Sequence, residues 1–265
     1  MPTQTQGKRI IGVLSGRGGV GKSVLTANMG AVLTKDNLKN ILVDADLSNP
    51  CLNLHLGLSY SQVGLQDVLQ GKKTYGDVAL IQPQTGMRVI PASLKFTRGA
   101  SLKRLAPVLS DISKSYDYTI VDSPPGISED VFHIINACNE IVVVTTPDVP
   151  GVSAATKMVA LCKQQDKRVL GVVVNRCTGA RYELTSREIE NMTEAQVLAR
   201  VPEDKAIPES ISVKTPAVIY APNSRASKKL RLISEEIIGP VHRMEAGDTS
   251  FFSGIFFFLR NLWPF

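Results

Sequence analysis

Residues Gly16 to Ser23 read G-R-G-G-V-G-K-S and fit the pattern G-x-x-x-x-G-K-[ST]. Each residue type has a chemical task in that spacing. Glycines let the backbone curl, so that successive N–H groups turn inward onto phosphate oxygens. A lysine in the position of Lys22 reaches the β- and γ-phosphates, and a hydroxyl in the position of Ser23 ligates Mg²⁺. Arg17 is a second cation in a loop that needs only one for its own phosphates, so it is free to point elsewhere.

Carboxylates recur where such chemistry would use them. Asp122 ends the apolar run Tyr118 to Asp122 and is followed by S-P-P-G, the position of an acidic residue that organises Mg²⁺ directly or through a water. Asp44 and Asp46 close the run N-I-L-V-D within D-A-D-L. One carboxylate there can orient an attacking water and the other can support the Mg²⁺ shell. Thr146 ends a further apolar run and carries a weaker signal.

The elements that must position these groups follow from periodicity. Arg9 to Ser15 is a short apolar run with the character of a buried strand. Ser23 to Lys35 has Leu25, Met29, Val32 and Leu33 at helical spacing, so its positive end would face the loop. Strands are expected at Asn40–Asp44, Met87–Pro91, Tyr118–Asp122, Glu140–Thr146, Arg168–Asn175 and Val197–Val201. Helices are expected at Leu65–Leu69, Leu102–Ser115, Ser128–Ala137, Ser153–Gln165, Arg181–Asn191, Ile207–Val213 and Ser224–Ile238. Pro107 weakens the middle of the second of these and pushes its start later. The alternation predicts an α/β fold, a mostly parallel twisted sheet with helices on both faces and functional groups at the carboxyl strand ends.

Composition sets looser bounds. The chain has 265 residues, a net charge of +6, 43% hydrophobic and 20% charged residues, and a mean hydropathy of +0.04. It is long enough for one large α/β domain, and its mild basicity permits anionic partners without selecting one. Cys51, Cys138, Cys162 and Cys177 form no C-x-x-C pair. They read as reduced structural thiols, and His55, His133 and His242 as structural too. The first residues lack an apolar signal region and no run reaches the roughly 20 residues of a membrane span, so a cytoplasmic location is expected.

The last stretch is foreign to the rest. Phe251, Phe252, Ile255, Phe256, Leu259, Leu262 and Trp263 fall on one helical face, behind a hinge at Gly247. Residues 1–246 thus read as one domain and 247–265 as an amphipathic segment lying at a membrane surface, which makes the protein a peripheral one.

Several segments resemble the MinD/ParA family of deviant Walker A ATPases. The loop G-R-G-G-V-G-K-S is similar to its K-G-G-V-G-K-[ST], V-D-A-D-L-S-N-P at 43–50 to its switch I, and V-D-S-P-P-G at 121–126 to its switch II. V-V-N-R at 173–176 is similar to the strand end that reads adenine, and V-P-E-D at 201–204 to the loop beside the base. The similarity runs over residues 8–240, in family order. It implies a P-loop NTPase fold, Mg²⁺-dependent hydrolysis of ATP to ADP and phosphate, and a homodimer formed on ATP. The nucleotide contacts it implies are Gly16, Gly18, Gly19, Val20, Gly21, Lys22, Ser23, Val24, Asn175, Arg176, Pro202 and Glu203. Ser23, Asp44 and Asp122 serve the metal, Asp46 places the water, and Pro125 and Gly126 move with switch II, Gly126 offering its N–H to the γ-phosphate. Arg17 stands where most members have a lysine that reaches the partner's phosphates. Within the family the tail favours a MinD-like role, membrane-bound and positioning a division or motility complex through an unidentified partner. A DNA-partitioning ParA-like role through a basic surface including Lys205, Lys214, Arg225, Lys228, Lys229 and Arg231, or a flagellar-number regulator, is the alternative. The lack of C-x-x-C argues against a metal- or cluster-handling member.

Overall fold

The computed structural model describes residues 8–58, 61–95 and 101–239; the apolar tail and the boundary at 246–247 lie outside them. Among the described residues eight strands form one sheet: β1 (Arg9–Leu14), β2 (Asn40–Asp44), β3 (Leu80–Ile81), β4 (Arg88–Ile90), β5 (Tyr118–Asp122), β6 (Glu140–Thr145), β7 (Arg168–Cys177) and β8 (Val197–Pro202). Their order is β3-β4-β2-β5-β1-β6-β7-β8. Of these eight strands β3 alone runs antiparallel, pairing with β4 at the edge. The strand that feeds the glycine loop, β1, is therefore central, parallel to β5 on one side and β6 on the other.

Eleven helices among the described residues flank the sheet. They are α1 (Lys22–Lys35), α2 (Leu52–His55), α3 (Leu65–Leu69), α4 (Tyr75–Val78), α5 (Leu105–Ser113), α6 (Glu129–Ala137), α7 (Val149–Gln164), α8 (Ser186–Thr193), α9 (Ala206–Ser212), α10 (Ala217–Tyr220) and α11 (Arg225–Ile238). None of them is long and apolar enough to cross a membrane.

Strand alternation divides the core into two layers. Ile10 and Leu14 of β1 join Leu105, Leu109, Ile134 and Met158 on the α5–α6–α7 side, whereas Ile11 and Val13 join Leu25, Met29, Ile233 and Ile237 of α1 and α11. Both faces being covered explains why the strands read as continuous apolar runs. Each fully buried Leu or Ile contributes about 1.5–3 kcal/mol relative to exposure, so the sheet that presents the site is a stiff platform.

The strands of the sequence reading are present, with β7 running two residues further to Cys177. Three helix starts differ by three residues or more. Leu102–Arg104 is a 3-10 turn and α5 begins at Leu105, which puts Pro107 in the first turn, where no intrahelical N–H is needed. The helix expected from Ser153 begins instead at Val149, because Pro150 occupies its first turn and Asp148 caps it by accepting the Gly151 N–H at 2.9 Å. The polar helix expected from Arg181 begins at Ser186, behind the capping box of Thr185 and Glu188. β3, α4, α2 and α10 are too short to leave a periodic signal.

Candidate functional site

At the carboxyl edge of the sheet a cleft of about 430 Å³ opens between the glycine loop, the loop after β2 and the loops after β7 and β8. Gly18, Gly19, Gly21, Lys22, Ser23 and Val24 line its floor. Gly19 and Gly21 have φ of 75° and 95°, and a Cβ on Gly21 would lie 2.2 Å from Asn175 Nδ2. This backbone path is open only to glycine. α1 starts without a side-chain cap, with Gly21 in the capping position. Its first N–H groups thus have no partner within the helix and suit an anion.

Not every motif residue faces the cleft. Gly16 packs against α7, where a Cβ would come within 2.3 Å of the Ala154 carbonyl oxygen, so its glycine serves a close helix approach. Val20 is buried, and its carbonyl accepts from Asn175 Nδ2 at 2.7 Å. Asn175 thereby braces the glycine loop from the end of β7. Arg176 spans the same gap, its Nε 3.2 Å from Glu203 Oε2 and its Nη1 3.4 Å from the Gly19 carbonyl. Asn175, Arg176, Pro202 and Glu203 line the cleft together with Asp204, the last residue of V-P-E-D, and with Ile207, Pro208 and Ile211, which sequence reasoning did not single out.

Arg17 lies outside the cleft. Its Nη1 is 3.1 Å from Asp148 Oδ1, with side chains 55% and 40% exposed. Arg17 is not among the residues that line the cleft. Its partner, the cap of α7, was not identifiable from sequence because 131 residues separate the two.

The carboxylates converge. Asp44 and Asp122 are register partners on β2 and β5, and both are buried. Burial is the main force raising Asp122, to about 6, while the Ser23 hydroxyl and the Lys22 charge pull the other way. Burial, then the neighbouring Asp122, push Asp44 well above the ordinary carboxylate range. Thr26 Oγ1 donates to Asp122 Oδ1 at 3.5 Å. Asp44 accepts two backbone N–H groups, from Asp46 at 3.1 Å and from Leu52 at 3.2 Å. Asp46 lines the cleft, with its Oδ1 accepting from the Asn49 N–H at 2.9 Å.

Ser123 and Pro125 also line the cleft. The Gly126 N–H, expected near a γ-phosphate, donates to the Ser15 carbonyl at 3.0 Å. That bond has to break before the N–H can serve a phosphate. Two residues read from sequence as structural are at the site instead. Cys51 Sγ sits 3.3 Å from Ser23 Oγ, and His55 lines the cleft beside it. Burial raises the Cys51 thiol and lowers the His55 imidazole. Neither residue sits in a spacing that marks a site. All four cysteines are free thiols.

The donor set fits a hard divalent cation. The Ser23 hydroxyl and the Asp122 carboxylate are oxygen donors at the phosphate end of the cradle, and Lys22, largely buried, supplies a fixed positive charge. Among the described residues no cluster of His, Cys, Asp and Glu has the form of an all-protein metal cage. A cation held here would share its shell with phosphate oxygens, as Mg²⁺ does.

Comparison with known proteins agrees with this geometry. A model of the ParA family, described as an NUBPL iron-transfer P-loop NTPase, matches residues 6–238. An uncharacterised ATP-binding protein of Methanocaldococcus jannaschii is 33% identical over 254 residues, covering 93% of this chain and 96% of that protein. Among solved structures, the cell-division ATPase MinD of Pyrococcus furiosus is similar at 30% identity and a TM-score of 0.83, over 87% of this chain and 98% of that one. The septum-site determining protein MinD of Pyrococcus horikoshii, complexed with Mg-ADP, is similar at 27% identity and a TM-score of 0.82, over 86% and 95%.

Proposed function

The chain belongs to the MinD/ParA family of P-loop NTPases, and from that premise we propose a MinD-type ATPase that pairs on ATP, binds a membrane reversibly and positions a division or motility complex. The observation that carries the reading is the division of labour in the glycine loop. Lys22 and Ser23 line the cleft while Arg17 is held outside it by Asp148. A subunit built this way has a complete cradle and one cation left over for a second copy.

The residues would act as follows. Backbone N–H groups of the loop and of α1 bind the phosphates, and Lys22 offsets charge on the transferred group. Asn175, Arg176, Pro202 and Glu203 hold the base end. Mg²⁺, when bound, would supply positive charge against the charge that develops on the phosphates. Ser23 and Asp122 are the side chains placed to hold it. Asp46 orients the attacking water. Arg17, released from Asp148, reaches across the dimer to the partner's phosphates, as an arginine finger does. Pairing brings two apolar tails to one surface, and two weak anchors bind far better than one.

The family model's iron-transfer description is not adopted, because the sequence carries no C-x-x-C. The DNA-partitioning reading has one observation in its favour, the exposed cations Arg225, Lys228 and Lys229 on α11. One experiment separates the readings: co-sedimentation of the full chain, and of a chain ending at Gly247, with liposomes and with DNA under ATP and ADP. ATP-dependent lipid binding that the truncation abolishes supports the MinD-type role. ATP-dependent DNA retention without lipid binding replaces it with the DNA role, and lipid binding by the truncated chain removes the tail from the account.

A further inference from the structure

The loop that carries Asp46 is closed by a single buried carboxylate. Asp44 ends β2 and has no exposed surface. Its Oδ1 accepts the Asp46 N–H and its Oδ2 accepts the Leu52 N–H, at 3.1 and 3.2 Å. The first of these bonds sets the exit of the chain from the sheet. The second caps α2, whose own capping residue, Cys51, makes no side-chain cap bond. Between the two clips the Asn49 N–H is tied to Asp46 Oδ1, and the Cys51 thiol rests 3.3 Å from the Ser23 hydroxyl. Asp46, Asn49 and Cys51 line the cleft, whereas Asp44 and its register partner Asp122 lie behind it.

We infer that Asp44 is a positioning residue, a clip whose two oxygens hold residues 45–52 so that Asp46 lines the cleft. This deepens the hydrolase reading above and rests on it for the metal. The clip itself is a property of the protein without nucleotide.

The test measures amide exchange at Asp46 and Leu52 in the full chain, with and without Mg²⁺ and ADP, alongside Asp44→Asn and Asp46→Asn. Asparagine keeps one acceptor but turns an NH₂ group toward the other backbone N–H. In Asp44→Asn exchange at Leu52 or Asp46 rises about tenfold or more, the loss expected when a buried backbone N–H loses its acceptor. Its kcat falls about tenfold or more, while ADP affinity and the Mg²⁺ half-saturation move less than about threefold. Asp46→Asn lowers kcat with the two amides still protected. A Mg²⁺ half-saturation raised about tenfold in Asp44→Asn, with loop amides unchanged, makes Asp44 a metal ligand and overturns the inference. A variant indistinguishable from wild type overturns it equally. If Asp44→Asn does not fold, the wild-type chain decides. The clip requires the Asp46 and Leu52 amides to be protected in the nucleotide-free protein, and exchange at either as fast as in an open loop overturns it. A wild-type chain with no Mg²⁺-dependent hydrolysis sinks the functional reading, while the exchange of these amides in the nucleotide-free protein still decides the clip.

Discussion

Asp44 and Asp122 sit side by side at the carboxyl ends of neighbouring parallel strands, as register partners shut off from solvent. Two like groups in one buried place resist ionising together. With its pKa near 6, folded Asp122 keeps its proton where the unfolded chain, with a pKa near 3.9, has already lost it. The native state then binds more protons, so the contribution is complete below about pH 4 and is lost as pH rises through about 6. For the nucleotide-free protein, denaturant titrations across that window should show stability falling with pH by a few kcal/mol at most. Asp122→Asn should flatten the slope.

The same substitution separates stability from activity. Asp122→Asn removes a carboxylate that burial and its neighbour disfavour, so the nucleotide-free protein should gain about 1 kcal/mol, or about 2–4 °C in melting temperature. Hydrolysis should drop by about two orders of magnitude, as when other preorganised electrostatic groups are lost. Differential scanning calorimetry paired with phosphate release checks both. A variant that is both less stable and fully active contradicts the assignment.

Arg17 and Asp148 form an exposed ion pair, worth about 0.2–1 kcal/mol. Arg17→Ala should therefore leave the melting temperature almost unchanged, yet abolish pairing on ATP as read by light scattering. Asp148→Ala should cost about 1 kcal/mol, because it removes the cap of α7 as well as the pair. Pairing that survives in Arg17→Ala would show that the cation does not act in trans.

Gly21 and Asn175 are fitted to each other. Gly21→Ala places a Cβ against Asn175 Nδ2 at a left-handed φ and should cost about 2–3 kcal/mol. Asn175→Ala, which frees the Val20 carbonyl, should weaken ATP binding about tenfold. In the double variant part of the Gly21 penalty should disappear, a coupling of about 1 kcal/mol read by a double-mutant cycle. Strict additivity would show that the two do not share strain.

At the opposite edge of the sheet Glu140 binds Arg9 at 2.6 Å and Arg168 at 2.8 Å, and Arg9 also donates to the Ile237 carbonyl near the end of α11. Glu140→Ala should destabilise by about 2–3 kcal/mol, since it strands the part-buried Arg9. Phosphate release per folded molecule should stay within about twofold, because no residue of the cleft is involved.

Local chemistry made much of this protein legible in the sequence. A glycine-rich turn between an apolar run and an amphipathic run names a phosphate cradle, because only that order of elements brings backbone N–H groups and a helix end together. Asp44, Asp46, Asp122 and Asn175 were recognisable as candidates by ending apolar runs, since a parallel sheet gathers strand ends along one edge. Helix starts at Pro107 and Pro150 were less legible, because proline breaks a helix interior yet suits a first turn, and only the cap decides which applies.

What sequence could not settle is which candidates touch. Strand order, with β1 between β5 and β6 and β5 beside β2, is a property of packing, and it alone made Asp44 and Asp122 neighbours. Tertiary structure likewise turned Arg17 onto Asp148, put Gly16 against α7 and not in the cradle, and brought Cys51 and His55 to the cleft. Spacing along the chain encodes reach within an element. Distance between elements is decided by how two apolar layers close on one sheet, and that closure set the roles of residues whose identities were already evident.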